Sequence, residues 1–153
     1  MKRALCVLVL MGALGAAGAA GPFLGVELEP VGPSLVAGWD TGPVLFWVGK
    51  PVDQLTSWVG DYTFSLALVG EVAPALDVGV GGLLDFNMFG PALVLQEAGP
   101  YISLYAAPIE WLTSYFQAGF CYSFEDDAWD WRLSLGGWLD FAGLLPDEAS
   151  GGE

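Results

Sequence analysis

The alternation of residues 129–141, WDWRLSLGGWLDF, is the feature that most restricts the fold of this chain. One series of alternate positions, from Trp129 to Phe141, is apolar or glycine, and the other contains Asp130, Arg132 and Asp140. Because a β-strand points successive side chains to opposite faces, the pattern predicts a strand with one apolar face. It exceeds the usual globular strand of about 5–6 residues and suffices for a tilted strand to cross a bilayer, which takes roughly 9–11.

Residues 61–70, 73–82 and 114–124 alternate in the same way. In each segment one face is large and apolar, and the other is small, hydroxylated or occasionally acidic. A soluble barrel turns its apolar face inward and covers its exterior with charged and long polar residues. The second face here is too small and uncharged for a solvated exterior, so we expect it to line a narrow barrel of about eight strands.

Glycine- and proline-rich turn signals divide the chain into short candidate strands. Nine candidates lie near residues 22–29, 34–40, 43–49, 61–70, 73–86, 91–97, 100–107, 114–124 and 129–141. Single-chain bacterial outer-membrane barrels have an even number of strands, so some of the short early candidates should merge or one candidate should be a loop. Residues 51–58 predict either a short helix or an excursion between strands.

The two ends of the chain differ in composition from its middle. Lys2 and Arg3 precede an apolar run and a small-residue stretch, which predicts a secretory signal peptide over residues 1–20, with an uncleaved anchor helix as the alternative. Residues 21–141 are the expected barrel domain. Residues 142–153 are acidic and rich in glycine, which is typical of a flexible tail.

Composition excludes several classes of function. Lys50 and Arg132 are the only basic residues after residue 20, and the whole chain has a formal net charge of −14. Such a surface is unsuited to nucleic acid or to docking on anionic lipid. Charged residues make up 14% of the chain, against about 25% in soluble domains, while 54% are apolar. An outer surface in contact with lipid explains this deficit.

The sequence predicts no catalytic residue, no cofactor and no enzymatic activity. It contains no histidine, which removes the usual general base, the common nucleophile pairs and the commonest metal ligand. Glu125, Asp126 and Asp127, together with Asp130, could hold a divalent cation, because hard cations take several oxygen ligands. Their spacing departs from the calcium-loop pattern, and a solvated hairpin loop is the alternative interpretation.

Arg132 lies in the polar series of the last strand and should point into the lumen. A buried guanidinium needs a partner, and four aspartates of the small-residue face could supply one: Asp130, Asp140, Asp77 and Asp85. We expect a lumen ion pair that locks the barrel. A charged constriction that lines a narrow cation-selective pore is the functional alternative.

The chain resembles the small bacterial outer-membrane β-barrel proteins in pattern. Its sharpest motif is Ser134, Gly136, Leu139 and Phe141, which matches the closing-strand signal read by the outer-membrane assembly machinery in such proteins. Phe141 is not terminal, since twelve residues follow it. The resemblance implies an all-β, antiparallel, up-and-down transmembrane barrel whose partners are the lipid bilayer and that machinery.

These patterns predict a small outer-membrane barrel with a structural, membrane-integrity or minor pore role. One alternative is a soluble exported barrel or sandwich, periplasmic or secreted, that binds an apolar ligand. Another is a subunit that hides its apolar face against partner proteins.

Overall fold

The computed structural model describes residues 21–109 and 111–141. The predicted signal peptide and the predicted tail lie outside these residues. Eight strands follow one another within the described residues: β1 (Pro22–Glu29), β2 (Gly32–Asp40), β3 (Val44–Pro51), β4 (Gly60–Ala73), β5 (Leu76–Phe89), β6 (Ala92–Ile109), β7 (Leu112–Ser123) and β8 (Ala128–Asp140).

Each strand pairs antiparallel with the next along the chain, and β8 pairs with β1, so the sheet closes into an up-and-down barrel. The closing ladder joins Phe23 to Asp140 at one end and Leu28 to Leu135 at the other. Closure leaves no sheet edge, which is the condition for a β-structure to be stable in lipid. The fold class and the expected eight strands are therefore confirmed.

Two predicted candidates, 91–97 and 100–107, are one strand, so the merger does not fall among the short early candidates. No turn separates the two, and β6 continues through Gly99 and Pro100. A Cβ at Gly99 would lie 2.4 Å from the carbonyl oxygen of Phe120 on β7, so glycine permits close approach of the two backbones. Pro100 pairs with Gly82 on β5, and the β6–β7 register contains no partner for it.

Three of the described connections between consecutive strands are two-residue turns, so the strands that they join form hairpins. The β1–β2, β4–β5 and β5–β6 turns occupy residues 30–31, 74–75 and 90–91. Ala75 and Gly90 have φ values of 60°, the left-handed conformation that tight hairpin turns require. Residues 51–58 form the excursion between strands and not a longer helix: β3 ends at Pro51, and Val52–Gln54 is a single 3-10 turn at the start of the β3–β4 loop.

Alternate side chains of every strand point to the lumen and to the exterior. In β7 the buried residues are Tyr115, Gln117, Gly119 and Cys121, whereas Phe116 and Phe120 are exposed. In β8 Ser134 and Trp138 are buried, and Leu133 and Leu135 are exposed. The predicted assignment of the large apolar series to the outside is therefore confirmed for these strands.

Candidate functional site: barrel wall and lumen

The exterior of the barrel is an apolar belt. Trp131 is 70% exposed and Ile102 61%, although both are large and apolar. Further exposed apolar side chains occur on all eight strands, among them Leu24, Val26, Ala37, Val48, Leu66, Leu68, Val80, Leu84, Leu104, Phe116, Leu133 and Leu135. A continuous belt of this size is unusual on a soluble monomer and marks contact with lipid or protein.

Aromatic rings fill the lumen. Trp138 lies 5.0 Å from Tyr115, 5.6 Å from Tyr105 and 4.6 Å from Phe23, measured between ring centroids. Trp47 lies 6.0 Å from both Tyr101 and Tyr115. The prediction that the inner face is small and hydroxylated is thus only partly correct, because one layer of it is made of large rings.

Glycines on the inner face make room for these rings. A Cβ at Gly136 would lie 2.4–2.6 Å from two ring atoms and the hydroxyl oxygen of Tyr115. A Cβ at Gly81 would lie 2.7 Å from the ring of Tyr101 and 2.2 Å from the carbonyl oxygen of Leu66. A narrow barrel can therefore accommodate large rings only where facing positions have no side chain.

A cavity of about 50 Å³ remains at the end of the barrel where β1 begins and β8 ends. It is bounded by Asp40, Asp77, Tyr105 and Trp138, among others. This volume suits a few water molecules, since one water occupies about 30 Å³ of the liquid. It is too small for an apolar ligand of the size that soluble barrels enclose.

A cluster of charged side chains crosses the lumen near the opposite end. The Arg132 Nη2 atom on β8 donates to Glu29 Oε1 on β1 at 2.5 Å and to Thr63 Oγ1 on β4 at 3.3 Å. Its Nη1 atom contacts Asp85 Oδ2 on β5 and lies 3.6 Å from Glu97 Oε2 on β6. Thr63 in turn donates to Asp85 Oδ1 at 2.5 Å. One guanidinium thereby connects four other strands across the lumen.

The cluster includes one of the four predicted partners of Arg132. Asp85 contacts it, and Asp130 instead accepts a hydrogen bond from the Trp131 backbone N–H at 2.7 Å. Asp77 and Asp140 lie near Asp40 at the other end of the barrel. Asp77 and Asp140 are therefore too far along the barrel to pair with Arg132, although they belong to the same inward series. Asp130 is only two residues from Arg132, but it is exposed, and its described contact is with the backbone.

Sequence reasoning missed Glu29, Glu97 and Thr63. Glu29 shares the inward series of β1 with Phe23 and Glu27, a signal that was present in the alternation. Glu97 is the last residue of the candidate strand 91–97, which in the structure continues through Gly99 and Pro100. The β5–β6 register shifts between Asp85 and Phe86, leaving Gln96 without a partner, and Glu97 then faces Asp85. Such bulges commonly re-aim a side chain.

Glu27 lies deeper in the lumen and is 2% exposed. It interacts with the Ser134 hydroxyl and the Trp47 indole, and with the charges of Glu29 and Arg132. It therefore lies between the ion cluster and the aromatic layer.

The acidic β7–β8 loop does not assemble a cation site. Asp127 accepts a hydrogen bond from the Tyr122 hydroxyl, and the Ser123 hydroxyl lies 3.2 Å from both the Asp126 carboxylate and its backbone nitrogen. Within the part of the chain that the structure describes, no three acidic, cysteine or histidine residues are grouped to hold a metal ion. The predicted site at Glu125, Asp126 and Asp127 is thus corrected to a hairpin loop whose acids bond locally.

The predicted assembly motif lies on the strand that closes the barrel. Ser134 and Gly136 face the lumen, and Leu139 and Phe141 face outward. The Phe141 backbone N–H donates to the carbonyl oxygen of Pro22 at 3.1 Å, so it is the last described link between β8 and β1. The barrel therefore closes even though further residues follow Phe141 in the sequence.

No protein-family model matches the sequence, and no curated protein matches it. Among helices of the described residues, none is long and apolar enough to span a bilayer. The crystal structure of Neisserial surface protein A is similar with a TM-score of 0.42 and 11% identity, covering 80% of this chain and 94% of that one. The solution structure of the de novo designed protein TMB2.3 has a TM-score of 0.51 and 13% identity, covering 82% and 97%. The second likeness agrees with the closed antiparallel barrel and shows the fold alone.

Proposed function

We propose that this chain is a small outer-membrane β-barrel protein with a structural role in the bilayer and no catalytic activity. The observation that carries the proposal is the apolar belt, in which Trp131, Ile102 and Leu68 expose most of their surface. In water, this surface would drive association, whereas in lipid it needs no partner. The barrel form satisfies its backbone groups internally, as the hydrocarbon region requires.

The alternative of a soluble carrier for apolar ligands has less support. Its ligand would occupy the lumen, but rings of Trp47, Tyr101, Tyr115 and Trp138 fill that space. Its exterior would carry charge, but the exterior is the apolar belt. A membrane barrel accounts for both faces at once.

A structural role is favoured over a pore because the lumen is obstructed at two levels. The aromatic layer crosses it around Trp47 and Trp138, and the Arg132 cluster crosses it between β8 and β5. Ions would have to displace packed rings and break ion pairs to pass. The same contacts connect strands that are far apart around the wall, so they stiffen the barrel.

Outer-membrane residence and insertion by the assembly machinery remain part of the proposal. They are supported by the signal-like residues 1–20 and by the motif of Ser134, Gly136, Leu139 and Phe141 on the closing strand. The absence of histidine from the chain supports a non-enzymatic role.

The proposal is tested by expressing the full chain, with its own N-terminus, in a Gram-negative host. We expect the processed protein in the outer-membrane fraction after a salt wash. It should also migrate differently on a denaturing gel before and after boiling, because a closed barrel resists the detergent until it is heated. Recovery in the soluble periplasmic fraction, without a heat-dependent shift, would contradict the proposal.

A further inference from the structure

The wall of the barrel has two very different heights. β1, β2 and β3 contain 8, 9 and 8 residues, whereas β4, β5 and β6 contain 14, 14 and 18. A strand rises about 3.3 Å per residue and tilts by about 40° in such barrels, so the two walls are about 20 Å and about 35 Å or more high. We call the first of these, β1–β3, the short wall, and the second, β4–β6, the tall wall.

One rim of the short wall ends in backbone that hydrocarbon does not tolerate. After Pro51 the chain makes one 3-10 turn and continues as an irregular loop up to Gly60. Irregular backbone exposed to lipid occurs at the membrane interface and not within the hydrocarbon core, since its polar groups need water. Trp58 in this loop is 79% exposed, and Lys50 lies 3.8 Å from the ring centroid of Tyr62 on the outer face. These residue types mark an interface.

The other rim of the short wall is polar. Asp40 Oδ1 accepts a hydrogen bond from the Gly42 backbone N–H at 2.6 Å, and the Thr41 hydroxyl donates to the carbonyl oxygen of Val44 at 2.9 Å. This β2–β3 turn therefore belongs at the water boundary. The short wall is thus bounded at both ends by groups that need water, about 20 Å apart.

Ordinary bilayers do not fit this spacing. Their hydrocarbon core is about 30 Å thick, and the apolar band of outer-membrane barrels is about 25 Å tall. Lipid beside a wall that is too short adapts by thinning, because exposing the rim to hydrocarbon costs more. The tall wall is high enough to span an ordinary bilayer, so the lipid beside it need not become thinner. Its β5–β6 turn projects beyond the short wall.

We propose that the short wall thins the bilayer that borders it, so that this barrel creates a one-sided zone of compressed lipid along β1–β3. The inference rests on the proposed membrane residence and adds a partner of stated chemistry: phospholipid with a hydrocarbon thickness of about 20 Å on this side only. Tilting cannot replace the thinning, because moving one rim toward the headgroups moves the other into the hydrocarbon.

The test uses spin labels at four exposed turn positions of the folded barrel in vesicles of phosphatidylcholine with 18-carbon chains. Cysteines replace Val31 and Pro43 at the two rims of the short wall, and Pro74 and Pro91 at the two rims of the tall wall, each in a Cys121→Ser background. The relative access of oxygen and of a water-soluble nickel complex reports the depth of each label. Heat-dependent gel mobility reports insertion independently.

We expect both short-wall labels at the level of the lipid phosphates and both tall-wall labels in water or at the phosphates. A short-wall label within the hydrocarbon core of an inserted barrel would overturn the thinning and leave membrane residence intact. Four water-accessible labels without a heat-dependent shift would overturn both.

Two charge substitutions give a second readout. Val31, 91% exposed in the β1–β2 turn, should accept aspartate with less than about a twofold loss of folding yield in these vesicles. Val26, exposed midway along β1, should lose folding at least about tenfold as aspartate. Equal loss for Val31→Asp and Val26→Asp would place the turn in hydrocarbon and contradict the thinning.

Discussion

The Arg132 guanidinium on β8 contacts the Asp85 carboxylate on β5, from across the lumen of the barrel. Both side chains are 14% exposed, so water screens their interaction weakly. Glu29 and Glu97 approach the same guanidinium from β1 and β6. The cluster therefore holds more negative than positive charge, and its stability depends on the one arginine.

Arg132→Met should destabilise the barrel strongly. The substitution leaves Asp85 and Glu29 close together without a cation, and breaking a buried pair in this way costs about 3–5 kcal/mol. The free energy of unfolding, measured by urea titration of the folded protein in lipid vesicles, should fall by at least about 3 kcal/mol.

Asp130→Asn is the control for this effect. Asp130 is also a charged residue on β8, two positions away, but its described contact is with a backbone N–H and not with Arg132. It should change the free energy of unfolding by less than about 1 kcal/mol. Equal losses in the two variants would show that the Arg132 cluster contributes nothing specific.

The folded barrel should conduct no ions in a planar bilayer. Trp47 and Trp138 obstruct the lumen, with ring centroids 6.4 Å apart. Replacing both by alanine opens the aromatic layer alone, so measurable current steps should appear only when Arg132→Met is added, because the Arg132 cluster crosses the lumen at a second level. Trp131→Ala, which truncates a tryptophan on the outer face, should stay silent. Steady current through the unsubstituted protein would favour the pore alternative.

Gly136→Ala should lower stability by about 1–3 kcal/mol, because the added methyl group overlaps the Tyr115 ring. Gly70→Ala is the matched control: no heavy atom lies within 4 Å of a Cβ there, and the change should stay within about 0.5 kcal/mol. Both are read from urea unfolding in vesicles. Adding Tyr115→Leu to Gly136→Ala should recover part of the loss, and failure to do so would place the cause elsewhere.

Phe141→Ala should reduce assembly in cells more than folding in vitro. Phe141 completes the predicted assembly motif, and its side chain is 41% exposed on the outside of the barrel. We expect several-fold less heat-modifiable protein in the outer membrane, with an unchanged yield of refolding into vesicles. Leu135→Ala, which also faces outward on β8 but lies outside the motif, should affect neither measurement. An equal loss of assembly in cells and of refolding in vesicles would show that Phe141 contributes to packing and not to an assembly signal.

Local alternation was sufficient to predict the barrel and its outward face. In β8 the side chains of Leu133 and Leu135 point outward, and those of Arg132 and Ser134 point inward, as period-two spacing requires. The turn signals indicate nine candidate strands, and the length of the chain, with the even strand number of outer-membrane barrels, favours eight. These features depend on residues close together in sequence.

Which side chains contact one another in the lumen depends on the register between paired strands. The spacing of residues along the sequence does not determine that register. Trp138 was placed in the inward series, but its contacts with Phe23 and Tyr105 arise from pairing between distant strands. Sequence spacing predicts Asp85 as a partner of Arg132 but misses Glu29 and Glu97 for the same reason. Two local features also determine which acids contact Arg132. One is the one-residue bulge at Gln96, and the other is the glycine–proline pair that continues β6 instead of ending it.

The account depends most directly on which face of the wall contacts lipid, and nuclear Overhauser effects between acyl chains and protein methyl groups measure this. In the barrel folded into lipid nanodiscs, we predict strong cross-peaks from acyl methylenes to the methyl groups of Leu66, Ile102 and Leu133. None should reach Val36, Leu45 or Leu83, which are at most 2% exposed in the lumen. Cross-peaks to the second set, with water contacts at the first, would contradict the account.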